Sequence, residues 1–139
     1  MVERAAITPA AAEIVACLRK RHGPLLFHQS GGCCDGSSPM CYPSGEFRIG
    51  QADVYLGTVA ECPFYMSAAQ FEHWAHTHLT VDVVPGRGAG FSLEAPEGVR
   101  FLIRSRLFTE AEQRALKEEG APLRGDAATA AAMSPVRSA

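Results

Sequence analysis

Apolar residues at Ala11, Ile14, Val15 and Leu18, spaced three and four apart, predict an amphipathic helix within "ITPAAAEIVACLRK". Thr8 is placed to cap it and Pro9 suits its first turn. Arg19, Lys20 and Arg21 set cations at its negative end, before Gly23 and Pro24 stop it. Cys17, three residues after Ile14 and beside Leu18, reads as a small core residue. The run "PLLFHQS" (24–30) then predicts a short buried strand. "EFRI" (46–49) and "DVYLGTV" (53–59) are strand-like, with Val54 and Leu56 sharing a face. A second helix is expected over 68–77, with Ser67 and Gln70 as a capping box and Phe71, Trp74 and Ala75 on its buried stripe. "LTVDVV" (79–84) and "FSLEA" (91–95) predict strands on either side of a "PGRGAG" turn. "VRFLIRSRL" (99–107) alternates most clearly, with Val99, Phe101, Ile103 and Leu107 on one face and Arg100, Arg104 and Arg106 on the other. Thr109 with Glu112 opens a last helix that stops at Gly120.

Strands cluster without regular βα alternation and nothing repeats. The order predicts an α+β domain with a mainly antiparallel or mixed sheet, an N-terminal helix and a second helix inserted between strands. Its limits are expected at 1–120. Residues 121–139, Ala/Ser/Pro-rich without a repeated large apolar residue, are expected to form a flexible tail. The full 139 residues suffice for one domain with a real core. A net charge of −2 gives no electrostatic footprint for nucleic acid or anionic lipid, so no nucleic-acid partner is expected. No apolar run is long enough to span a membrane. Glu3 and the interrupted apolar pattern after it do not read as a secretory signal, so a cytoplasmic location is expected. In reducing cytoplasm, thiols or metal ligation are favoured over structural disulfides, and five cysteines cannot all pair.

Three of those five fall within "GGCCDGSSPMCY" (31–42). Gly31 and Gly32 permit positive φ, and Asp35–Gly36 and Pro43–Ser44–Gly45 are turn signals that would bring Cys41 back toward Cys33. Soft thiolates select zinc or iron, with copper less favoured, and a tetrahedral site needs four donors. The candidate ligands are Cys33, Cys34, Cys41, Cys62 and His28, although the spacing matches no standard zinc finger. The same loop admits thiol chemistry. Backbone N–H groups of a glycine turn could lower the pKa of Cys33 or Cys34, leaving Cys41 to resolve a disulfide or the thiolate to trap an aldehyde. No His or Lys is placed by sequence to activate such a thiol. A third reading keeps the cysteines as small packing residues beneath an interaction surface.

Other motifs carry less. His73 and His76 in "FEHWAHTH" are three apart and would share a helix side, with His78 past its end. A metal site of His73 and His76 is one reading, and histidines exposed near a helix C-terminus, where positive charge is favoured, are the preferred one. "GRGAG" precedes a strand-like run and lacks Lys-Ser/Thr, so it reads as a tight turn and not a phosphate cradle. The arginine face of 99–107 could meet an acidic partner or simply be solvated. No nucleophile elbow and no paired carboxylates stand out, so catalytic residues are not assigned.

"ITPAAAEIVACLRK", "GGCCDG", "SAAQFEHW" and "VDVVPGRGAGFSLEAP" together resemble the HesB-like A-type iron–sulfur carriers over residues 7 to 108. That resemblance implies a compact β-rich fold with an N-terminal helix and a homodimer or larger assembly. Of the carriers' three cysteine ligands, the one in the glycine turn is matched by Cys33, but the other two fall on Leu102 and Arg104, which cannot bind iron. A carrier-type iron–sulfur cluster is therefore not expected. "SGGCCDGSSPMCYP" and "GRGAGFSLE" more specifically resemble a small bacterial family of unknown function encoded beside acetaldehyde dehydrogenases. This implies an association with aldehyde oxidation, with an aldehyde dehydrogenase as a partner. The expectation is a non-catalytic accessory protein that binds a metal ion through its cysteine loop. The alternatives are a thiol-dependent redox or aldehyde-trapping enzyme using Cys33 or Cys34, and an interaction module with structural cysteines.

Overall fold

A computed structural model describes residues 2–29, 37–46, 49–86 and 92–125. The chain is α+β, with two mixed sheets. One sheet has strands in the order β1 (Ala5–Ile7), β6 (Thr77–Pro85) and β7 (Val99–Leu107). The other has the order β3 (Met40–Pro43), β2 (Leu25–Gln29), β5 (Cys62–Ser67) and β4 (Asp53–Val59). Within them β1 runs parallel to β6 and β2 parallel to β5, while the remaining neighbours are antiparallel. Helix α1 (Pro9–His22) follows β1, α2 (Ala68–Trp74) lies between β5 and β6, and α3 (Glu110–Glu119) follows β7.

The local signals at the helix ends do what their chemistry predicts. Thr8 accepts from the Ala11 N–H and Pro9 opens α1, whose buried residues are Ala11, Val15 and Leu18. Cys17 is exposed, against expectation. It lies about 100° of helical rotation from Leu18, which carries it off the stripe that Ala11, Val15 and Leu18 define. Ser67 caps α2 by accepting from Gln70 N. That helix ends three residues early, at Trp74, because β6 begins at Thr77, whose hydroxyl donates to the Trp74 carbonyl. A full capping box at Thr109 and Glu112 starts α3, and Gly120 ends it with φ +85.

The core lies between the sheets. Phe27 of β2 meets Phe101 of β7 edge to face at 5.0 Å and lies 6.1 Å from Phe64 of β5. Leu25, Val54, Met66, Leu79, Val81 and Ile103 join it, with Val15 and Leu18 from α1 and the thiols of Cys41 and Cys62. In β4 the register shifts between Tyr55 and Gly57, leaving Leu56 as an extra residue. Gly57 takes φ +142 at this bulge, and the shift returns Val59 to the inner face beside Cys62.

Two strand expectations differ from what forms. Of "FSLEA", Phe91 lies outside the described residues and 92–95 form no strand: Ser92 and Leu93 pass beside β3 and a short 3-10 turn follows at Ala95–Glu97. In "EFRI", Glu46 closes a turn and Ile49 lies outside any strand, while 47–48 lie outside the described residues. Strand edges are partly covered. Ser37 accepts from Ile103 N along β7, Leu93 N donates to Cys41 O along β3, and Tyr55 N donates to Leu123 O along β4. Residues 121–125 thus pack on the β4 edge, whereas 126–139 of the expected tail lie outside the described residues.

Candidate functional site

Strand β2 is buried at all five positions, on both of its faces. Leu25 and Phe27 point into the core, so by alternation Leu26 and His28 face the other side of the sheet. There His28, 4% exposed, sits opposite Met40 on β3 and Tyr65 on β5. Its Nε2 lies 2.6 Å from Oδ1 of Asp53, the first residue of β4. An ionised carboxylate only accepts, so this contact places the proton on Nε2. Asp53 is itself fixed: its Oδ2 accepts from Gly50 N at 2.9 Å, and its own N–H donates to Gly50 O at 3.0 Å. Buried Tyr65 stands in the same cross-strand row, its ring 5.8 Å from that of Tyr55. A carboxylate thus holds a buried imidazole in one orientation near the end of β2, five positions before Cys33 in the sequence.

Cys41 and Cys62 occupy the opposite face. Cys41 lies opposite Phe27, and Cys62 precedes Phe64 by two, so both thiols point inward with β2 between their strands. Each is fully buried. Burial pushes the Cys41 thiol far up, with Cys62 and Glu94 adding to the rise. Burial also raises Cys62 to about 11, against the opposing pull of Arg19. The Cys62 thiol rests on the Ala60 carbonyl at 3.5 Å. At neutral pH both are thiols, which neither attack nor ligate without losing a proton. Beside Cys41, Ser92 accepts from its backbone N–H at 2.8 Å and donates to the Glu94 carboxylate. Burial raises Glu94 despite that bond and the Phe101 N–H.

Of the five candidate ligands, Cys41 and Cys62 therefore share the core face while His28 lies on the other face of the same sheet. Cys33 and Cys34 lie outside the described residues. Among the described residues no three His, Cys, Asp or Glu side chains converge on a point that could hold a metal. His73 and His76 do not share a helical side, because His76 lies beyond the end of α2. His78 faces Arg106 across the β6–β7 ladder, and burial with that guanidinium lowers its pKa. Of the arginine face, Arg104 binds Asp82 at 2.5 Å, Arg106 binds Glu112 at 2.8 Å and Arg100 donates to Ser38. These are internal ties. In "GRGAG", Gly86 has φ +145, and 87–90 lie outside the described residues. Sequence reasoning named His28 but missed Asp53, which lies 25 positions away with no local motif joining them.

Fold and site together define an α+β protein of two mixed sheets among the described residues, carrying a buried histidine–carboxylate pair near the end of β2. Among the described residues no helix is long and apolar enough to cross a membrane. Residues 14–107 match the family described as Domain of unknown function (DUF779), and the chain belongs to that family. No curated protein matches the chain.

Proposed function

We propose that this chain is a non-catalytic accessory protein of aldehyde oxidation that holds a metal ion, zinc or iron, through His28 and the thiols of Cys33 and Cys34. The observation that carries this reading is the 2.6 Å contact between His28 Nε2 and Asp53. Metal-ligating histidines characteristically bind a carboxylate through their other ring nitrogen, which fixes the ring and raises its basicity. Cys33 and Cys34 follow His28 by five and six residues, within reach of it along the chain. Three protein donors leave a fourth position for water or a partner's group. Cys41 and Cys62 lie on the core face of the sheet, opposite the face that carries His28, so this reading centres the site on His28 and the thiols that follow it in the chain. The link to aldehyde oxidation, with an aldehyde dehydrogenase as partner, rests on the resemblance of "SGGCCDGSSPMCYP" and "GRGAGFSLE". A HesB-like fold, a homodimer or larger assembly and a cytoplasmic location belong to the same reading.

Metal analysis of full-length protein purified under reducing conditions tests it. About one zinc or iron per chain is expected, with loss in His28→Ala and in Cys33→Ser/Cys34→Ser. Metal-free wild-type protein that takes up neither ion on addition contradicts it.

The same contact favours a second reading. A histidine oriented by a carboxylate is the base half of a nucleophile triad, and it supplies the activating group that local sequence lacks. Cys33 or Cys34 would then add to an aldehyde carbonyl, forming a C–S bond while the thiol proton passes through His28 to the new alkoxide oxygen. In that case metal-free protein shows an alkylation midpoint below the ordinary thiol value of about 8.5, shifted upward in His28→Ala.

A further inference from the structure

A groove of about 770 Å³ lies between the segment after α2 and the helix α3, with Arg4 on its wall. Among the described residues, three cations, Arg4, Arg114 and Lys117, line it with one carboxylate, Glu110, while the largely buried Phe108 and Leu116 form part of its apolar floor beside Ala75 and Ala121. None of the three cations takes part in an ion pair among the described residues. Arg4 is half-buried, and its guanidinium lies 5.4 Å from the centre of the Phe71 ring. Burial lowers its pKa, and Glu119 only partly offsets that effect. The Glu119 carboxylate is itself bonded to Val2 N at 3.1 Å. A partly desolvated cation without a bonded counter-charge gains from an anion brought to it. The volume falls within the range of small-molecule sites, and the mix of apolar wall and few charged groups is typical of them.

We propose that this groove binds a small organic anion with an apolar body, such as a medium-chain carboxylate. The head group sits among Arg4, Arg114 and Lys117, and the tail lies along Phe108 and Leu116. Two of these cations, Arg114 and Lys117, project from exposed positions three apart on α3, so they reach one ligand from the same side.

Calorimetric titration of the full chain with octanoate, and with 1-octanol as its uncharged counterpart, tests the assignment. Octanoate is expected to bind saturably and at least about tenfold more tightly than octanol. Arg114→Gln with Lys117→Gln should weaken octanoate by about tenfold, leave octanol unchanged and keep the melting temperature. Arg4→Gln should weaken octanoate in the same direction. Absence of saturable octanoate binding, equal affinity for octanol, or indifference to loss of the α3 cations overturns the proposal. So does preference for an oligoglutamate peptide, which would make this face a protein-docking surface.

Discussion

Cys62 stays neutral because the surrounding core gives a thiolate neither water nor a strong enough counter-charge. Its pKa stands at about 11 instead of 9.0. The folded protein therefore keeps this proton where the unfolded chain releases it. Stability is fully present below pH 9.0 and falls as pH rises from there through about 11. Cys41 acts in the same direction. Urea unfolding across that range should show the loss, reduced in Cys62→Ala relative to wild type at each pH. Replacing Cys41 by Ser sets a stronger polar group in a fully buried site. It should cost about 1–3 kcal/mol in urea unfolding, whereas Cys17→Ser, on the exposed face of α1, should change stability by less than about 0.5 kcal/mol. Equal costs at the two positions would contradict the burial described. Glu112 behaves oppositely. Its fork to Arg106 and the Thr109 N–H hold its carboxyl at about 2, so the stabilising contact persists above the ordinary 4.5 and disappears as pH falls through about 2. A carboxyl titration followed by NMR should find that midpoint, and Arg106→Gln should move it back up.

The hairpin between β4 and β5 shows what an element tolerates when its ends are fixed. Val59 pairs with Cys62, so Ala60 and Glu61 form a two-residue turn with φ of +47 and +65. Such a turn matches the strand twist but favours Asn-Gly, because side chains with a Cβ are strained there. Ala60→Asn with Glu61→Gly should raise stability by about 1 kcal/mol in urea unfolding. The lost Arg19–Glu61 pair is worth little, since Glu61 is 81% exposed. Lower stability in the double variant would show that the pair or the turn does more than close a hairpin. At the last helix, Thr109→Ala removes the side-chain arm of the capping box, leaving the backbone N–H of residue 109 to donate to Glu112, and should cost about 1 kcal/mol. Helix starts were legible because caps are local chemistry, and β4, β6 and β7 because alternation is. The strands β1, β3 and β5 were not. β1 is three residues long and exists through its pairing with β6. β3 lies among turn formers, and β5 is buried on both faces, which removes its alternation. The described part of the expected strand, "SLEA" (92–95), turns inward instead, because Ser92 and Glu94 bind within the core.

At the scale of the molecule, two sheets closed over one apolar core divide the chemistry of the chain between their faces. Cys41 and Cys62 are committed to the interior, while His28 and Asp53 meet on the far side of the β3–β2–β5–β4 sheet. The α+β class and the helix placed between strands could be read from patterning. The separation of thiols from imidazole could not, since it depends on the inward phase of β2 and on the strand order that seats β5 beside it. Nor could the histidine–carboxylate pair, which joins residues on strands separated by β5.

Alkylation of native protein, mapped cysteine by cysteine with and without a chelator, tests this division most directly. Cys17 should react in both conditions, Cys41 and Cys62 in neither until the protein unfolds, and, under the metal-binding reading proposed above, Cys33 and Cys34 only with the chelator present. Equal labelling of Cys33 and Cys34 with and without chelator, or ready labelling of Cys41 and Cys62 in the folded protein, would contradict it.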